Sequence, residues 1–195
     1  MSNVSSVKLT SHWRHLHNYR WFTICTFLIL LAPFLQAGIK EEVEASLKNQ
    51  FGAKVNISMK KLNLSKATRS LVEKKARQRF FSDYIYAWTI KSNDKIEAYA
   101  LLDNVKGLTM PITFLVVYDI HGIITDTKVM KYREPYGGEV SSANWTAQFK
   151  GRNSKSNFVV GNEIDGISGA TISVYSMASG VMKLSLLLPL IQSQL

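Results

Sequence analysis

Three hydrophobic patterns run along this chain: one continuous apolar run, several alternating stretches, and segments with helical spacing. Trp21 to Leu35 (WFTICTFLILLAPFL) is the continuous run. In Glu41 to Phe51, apolar Val43, Leu47 and Phe51 recur at i, i+4 and i+8, which predicts a short amphipathic helix stopped by Gly52. Lys54 to Leu64 alternates, with Val55, Ile57 and Met59 on one face, and predicts a weak strand. Ser65 is placed to cap a helix running to about Phe80. Strands are then expected at Tyr84–Lys91, Ile96–Asp103, Pro111–Tyr118 and Ile123–Tyr132, with Asn93-Asp94 and His121-Gly122 as turns. In Pro111–Tyr118 both alternating sets are apolar, as in a central strand covered on both sides. Near the C-terminus, Val174, Met177, Val181, Leu184 and Leu188 mark one helical face. Ser173, Ser176, Ser179 and Lys183 fall on other faces, as in a packed amphipathic helix and not a membrane span. The fold class is therefore α+β: an antiparallel sheet with flanking helices, one small domain over 38–195, after an N-terminal signal or anchor at 1–37. No internal repeat is present.

The first segment points to export. Lys8, Arg14 and Arg20, with no acid among them, precede the apolar run, and Leu35-Gln36-Ala37 before Gly38 offers a small residue at a cleavage point. An uncleaved anchor is the competing reading. The uncharged stretch between Arg20 and Lys40 is 19 residues long. At about 1.5 Å per residue it could just span a bilayer. Both readings put the body of the protein outside the cytoplasm, in the periplasm or on the extracytoplasmic face of the membrane.

Composition narrows the chemistry. The chain has 195 residues, 46% apolar and 19% charged, as in a globular protein. Cys25 is its only cysteine, which excludes an intramolecular disulfide, a cysteine zinc site and an iron–sulfur cluster. It lies within the apolar run instead of closing it, unlike a lipidated cysteine. His12, His15 and His17 fall in the basic leader and do not read as a metal tract. The formal charge is +10; without Lys8, Arg14 and Arg20 the body keeps 21 basic against 14 acidic residues, or +7. Such a charge favours an anionic partner without choosing one. The expected helix after Ser65 carries Lys66, Arg69, Lys74, Lys75, Arg77 and Arg79, read as a solvated face or a contact with anionic lipid, with no nucleic acid expected. No Ser/His/Asp set, carboxylate pair or metal cluster stands out, so no catalytic or metal residue is assigned.

Candidate chemistry is concentrated between 132 and 182. In Tyr132–Val140 (YREPYGGEV), Pro135 ends a strand, and Gly137-Gly138 permits an ordinary turn or a close backbone approach to a flat or anionic ligand. Asn144–Gly151 (NWTAQFKG) brings Trp145, Gln148, Phe149 and Lys150 together, either to wall a planar cofactor or to pack two aromatics on the core. Ile164–Met177 reads IDGISGATISVYSM. Ser168, Gly169 and Ala170 there open a helix whose free N–H groups and partial positive charge suit a phosphate, with the Thr171 hydroxyl beside it.

Asp165-Gly-Ile-Ser168-Gly169-Ala170-Thr171 resembles the flavinylation motif of the FMN-binding domain family, which includes flavin subunits of Rnf-type complexes and of the sodium-translocating NADH:quinone reductase. The likeness extends over roughly 40–190 and is sharpest at the motif. It implies FMN joined by a phosphoester to Thr171, attached by a separate flavin transferase that uses FAD as donor. Val174 stands where the family usually has Ser or Thr, and Ser173 lies one position earlier. On this resemblance Gly137 and Gly138 would approach the flavin, Trp145 and Phe149 would lie against its ring, and Glu134, Glu139 and Lys150 would make polar contacts. The implied role is an extracytoplasmic electron carrier, more than a stand-alone enzyme, with a membrane or periplasmic redox protein as partner and membrane association possible. The alternatives are a flavin-dependent reductase of a small substrate and a non-redox module binding an anion or a membrane.

Overall fold

The computed structural model describes residues 38–195, and in them five strands pair antiparallel, each with its neighbours in sequence, in the order β1-β2-β3-β4-β5. The expected signal or anchor, with Cys25 and the three leader histidines, lies outside the described residues. Val43–Leu195 forms one compact unit. The strands are β1 (Asn56–Asn63), β2 (Tyr84–Ser92), β3 (Lys95–Lys106), β4 (Pro111–Asp119) and β5 (Ile124–Lys131). Residues 38–51 are helical (α1), and Gly52, at φ +95°, ends that helix. The expected meander is present with the weak strand as its first member.

Turn chemistry fixes the register. Asn93 and Asp94 take φ +47° and +62°, the left-handed pair that a two-residue hairpin needs and that these side chains tolerate. In the β4–β5 turn, Gly122 is at φ +77°, and Asp119 Oδ1 accepts the N–H groups of His121 and Ile123, both at 2.9 Å. Helix α2 (Lys66–Ala76) starts where Ser65 caps it, its Oγ accepting the Thr68 N–H at 3.0 Å. It stops four residues before the expected end, because Arg77 turns into the left-handed region at φ +53° and its N–H returns to the Glu73 carbonyl. Glu73 Oε1 then accepts the Phe80 N–H at 2.9 Å and leads the chain toward β2.

Alternation gives the sheet two buried faces. Tyr99, Leu101 and Val105 of β3, with Ile112, Phe114, Val116 and Tyr118 of β4, join one core with helix α4 (Thr171–Ile191) and Val72 and Phe80 at the α2 side. Trp88, Ile90, Ala98, Ala100, Leu102, Leu115 and Val117 are buried on the opposite face. Lys128, opposite Leu115 in β5, reaches across that face to Ser46 Oγ of α1 at 3.0 Å, where Val43 and Leu47 are fully buried. β4 is accordingly covered on both sides, as its two apolar sets require.

Helix α4 packs tightly on the sheet at Gly180. A Cβ there would stand 2.9 Å from Phe114 Cζ and nearer still to Val105 Cγ1, so only glycine allows this approach. By length and composition α4 could cross a membrane, yet most of it is buried within the fold, as in a core helix. The expected stripe of Val174, Met177, Val181, Leu184 and Leu188 is buried throughout. Two residues assigned to other faces are buried as well. Ser173 packs near the helix start, and Lys183 is fully enclosed, its Nζ 2.8 Å from Asp103 Oδ2 and donating to the Arg79 carbonyl at 2.9 Å. The ammonium also lies 4.5 Å from the centre of the Phe80 ring. Burial pushes the Asp103 carboxyl up from its usual range, and Lys183 pulls it back.

Removing one member of this pair strands the other in a dry core, at a cost of about 3–5 kcal/mol. Lys183→Met should lose stability on that scale in urea denaturation, and Lys183→Met with Asp103→Leu should recover most of it. A single variant as stable as the parent would show that the pair does not hold α4.

Candidate functional site

The segment leading to α4 is held mainly through its backbone. Short helix α3 (Ala143–Thr146) runs into a 3-10 turn at Ala147–Phe149. Trp145 Nε1 donates to the Asp165 carbonyl at 2.9 Å, and the Asp165 N–H donates to Gln148 Oε1 at 2.7 Å. One residue is thus gripped on both sides by the WTAQ segment, while its carboxylate is exposed. Arg152 fixes the loop before it, donating to the carbonyls of Gln148 (3.0 Å), Asn157 (2.9 Å) and Glu163 (2.6 Å). Three charge-assisted bonds to carbonyls make this guanidinium the organiser of the 153–164 loop.

A tight turn then delivers the helix. The Ala170 N–H bonds the Ile167 carbonyl at 3.1 Å, with Gly169 at φ +79°, the position where such a turn needs glycine. The helix therefore begins at Thr171, later than the small residues suggest. Ala170 is its N-cap and supplies no side-chain acceptor, and no acidic residue lies in the first turn. The first intrahelical bond is from the Val174 N–H to the Ala170 carbonyl, leaving the amides of Thr171, Ile172 and Ser173 without a helical acceptor.

Beside this terminus lies a cavity of about 210 Å³, lined by Leu108, Glu134, Pro135, Tyr136 and Gly169 to Ser173. Four expected site residues line it: Glu134, Gly169, Ala170 and Thr171. Thr171 is exposed to it, as are Ser168 and Gly169 to solvent, whereas Ser173 is buried with its Oγ 3.4 Å from Tyr132 Oη. The opposite wall is the turn between β3 and β4. Glu134 clasps that turn: Oε1 accepts the N–H groups of Thr109 (2.8 Å) and Met110 (3.0 Å), and Oε2 accepts the Thr109 hydroxyl at 2.6 Å. These bonds, the hydroxyl foremost, hold the carboxyl below its usual range. A Cβ at Gly107 would collide with Glu134 Oε1 and the Met110 carbonyl, so glycine is needed for the clasp. Glu134 thus accepts three bonds from the turn while also lining the cavity.

The glycine pair divides its roles. Gly137 is at φ +75°, and a Cβ on it would meet Ala170 Cβ at 2.8 Å and Tyr132 Oη at 3.0 Å. It presses the YREPY loop against the start of α4, with Tyr132 Oη donating to the Tyr136 carbonyl at 2.5 Å. Gly138 opens a 3-10 turn with empty space about its Cβ position. Of the two readings left open for Trp145 and Phe149, the structure has the core one. The rings meet edge to face at 5.4 Å, and Phe149, stacked on Phe158, has no exposed surface to offer a ligand. Glu139 and Lys150 are exposed and do not line the cavity. Leu108, Tyr136 and Arg152 escaped the sequence reading; only the second tyrosine of YREPY, beside the glycine pair, carried a signal for one of them.

Two outcomes follow from this geometry. Gly137→Val should disturb the start of α4, lowering the thermal midpoint and shifting the Ala170 and Thr171 amide resonances, while Gly138→Val should leave both nearly unchanged; equal effects would remove the distinction. Because the Glu134 carboxyl is depressed, its clasp is complete above the usual carboxylate range and is lost as pH falls through the lowered value. The Thr109 and Met110 amide proton shifts should therefore titrate together with a midpoint below that range, and Glu134→Gln should abolish the titration.

A search of curated proteins gives no match to the chain. Residues 107–184 match the model for the FMN-binding domain, a span that runs from the clasped turn through β4, β5 and the gripped loop into α4 as far as Leu184. That span contains every residue lining the cavity, so the segment that builds the cavity is the one similar to the FMN-binding domain family.

Proposed function

We propose that this chain is an extracytoplasmic electron carrier whose FMN is bound covalently through its phosphate to the Thr171 hydroxyl. The observation that carries the reading is an exposed threonine as first residue of an uncapped helix, at the mouth of a cavity. In the attachment step the Thr171 oxygen bonds to the FMN phosphorus of FAD, AMP leaves, and the hydroxyl proton is released. A flavin transferase is the partner for that step.

The residues present fit the group. The amides of Thr171, Ile172 and Ser173 and the helix dipole favour the remaining phosphate charge. No basic side chain lines the cavity. A helix terminus contributes about 0.3–2 kcal/mol. Micromolar retention of a free ligand requires about 8 kcal/mol. A covalent bond removes that requirement, which suits a protein outside the cytoplasm, where a lost flavin is not readily replaced. The cavity volume of about 210 Å³ is below the roughly 300–1,000 Å³ usual for ligand pockets. The ring would therefore extend over the rim, where Leu108, Tyr136 and Ile172 are exposed. A ring left accessible suits electron exchange with another protein. FMN accepts one or two electrons and so can join donors and acceptors of different stoichiometry.

Extracytoplasmic placement rests on the basic, apolar and small order of the leader. The chain has no GxGxxG after a strand, so pyridine nucleotide has no evident dock. Coexpression with a flavin transferase should add one FMN-sized mass to the exported protein, and Thr171→Ala should abolish it without transfer to Ser173, which is buried. Covalent flavin on the Thr171→Ala variant would remove Thr171 from its role. NADH alone should reduce the holoprotein slowly in stopped flow, and membranes with a donor should reduce it quickly; fast reduction by NADH would make it a reductase.

A further inference from the structure

The basic helix α2 takes no part in the flavin cavity. Its C-terminal end instead walls an open groove of about 560 Å³, together with the start of β2's approach, the end of β3 and one side of α4. Arg77, Arg79 and Lys106 line this groove with Phe81, Tyr175 and Ser179, and no acidic residue does. Gln78 Nε2 donates to the Ser176 carbonyl at 2.9 Å and ties the α2 end to α4 at its base. None of the three cations is paired with an acid among the described residues. Three like charges converging on one concavity repel each other until an anion enters. Arg77 also holds the left-handed C-cap position, at φ +53°, where glycine or asparagine is the usual residue.

Beside these cations stand apolar groups in water. Phe81 and Tyr175 are 51% and 55% exposed, and Leu71 on α2 is 47% exposed. The positive field extends along α2 through Lys66, Arg69, Lys74 and Lys75, of which only Arg69 has an acidic partner, Glu73 at 3.6 Å. Cations beside exposed aromatic rings are the chemistry of a membrane interface, where the rings enter the headgroup layer and the charges meet anionic lipid.

We propose that this groove seats the phosphate of an anionic phospholipid, with Arg77, Arg79 and Lys106 on the phosphate and Phe81 and Tyr175 in the interfacial layer beside it. The spread of charge along a whole helix favours an extended anionic surface over the acidic patch of one protein. Tyr175 lies one turn beyond Thr171 on α4, so lipid docking here brings the flavin cavity to the membrane surface. The proposal stands on the groove alone and holds whether or not a flavin is attached.

The test is amide hydrogen exchange on the full chain in the presence of phosphatidylcholine vesicles or of vesicles of phosphatidylcholine and phosphatidylglycerol in equal parts. Both are used at the same lipid concentration, so the comparison isolates headgroup charge. Peptides covering 77–81 and 172–179 should exchange roughly threefold or more slowly on the anionic vesicles, the gain falling as salt rises. Arg79→Glu with Lys106→Glu should erase the difference. Arg77→Gly should weaken it while keeping or raising the thermal midpoint, since glycine suits that backbone position, so loss of fold cannot account for the result. Equal exchange on the two vesicle types would overturn the proposal. Equal protection by inorganic phosphate would assign a soluble phosphate, and protection by polyglutamate without vesicles an acidic protein; each would overturn the lipid assignment.

Discussion

The N-terminus of α4 can offer its amides to a ligand only because the rest of the helix is locked onto the sheet. Gly180 brings the helix axis against Val105 and Phe114, closer than any side chain would allow. Lys183, one turn further along, reaches Asp103 on the same strand and the Arg79 carbonyl at the end of the α2 segment. The glycine sets depth and the ion pair sets rotation. Any other rotation leaves a charge unpaired in the core, a cost larger than most single packing defects. Thr171 inherits its position from contacts two and three turns away.

The segments that lead into the cavity are braced by bonds of their own. On one side Trp145 and Gln148 grip the backbone at Asp165, and Arg152 gathers the carbonyls of the loop before it. On the other, Glu134 pins the β3–β4 turn. The charged and aromatic side chains of this region are largely spent on holding backbone in place. What they leave for a ligand is a helix terminus, a hydroxyl and a few exposed apolar groups. Such a site would orient a phosphate but hold it weakly, and this separation of geometry from affinity is what favours the proposed covalent attachment.

The cations of the molecule are placed elsewhere. A cluster of them runs along α2 and gathers at the groove with Lys106, while the cavity beside Thr171 is lined by no basic residue. On the reading proposed for Thr171, a phosphate there would depend on local amide geometry instead of the long-range field.

Much of this fold is local and could be read along the chain. Alternation, the Asn93-Asp94 and Gly122 turns and the Ser65 cap act over a few residues, so the meander and its helices were legible before any contact was known. The small-residue motif before Thr171 was legible for the same reason. What depended on distant partners was not. The end of α2 was set by the backbone of Arg77 and by Glu73 turning to the Phe80 amide. Lys183 reads as a surface residue until Asp103, eighty positions earlier, is placed beneath it. Gly137 and Gly138 are alike in sequence, and only the packing of Ala170 makes one obligatory and the other open. Trp145 and Phe149 could have walled a ligand or filled the core, and burial against Phe158 decided it. Periodicity and turn propensity act within a segment, so sequence determines them; which polar group finds a partner in the core depends on the three-dimensional meeting of segments, and tertiary structure alone decides that.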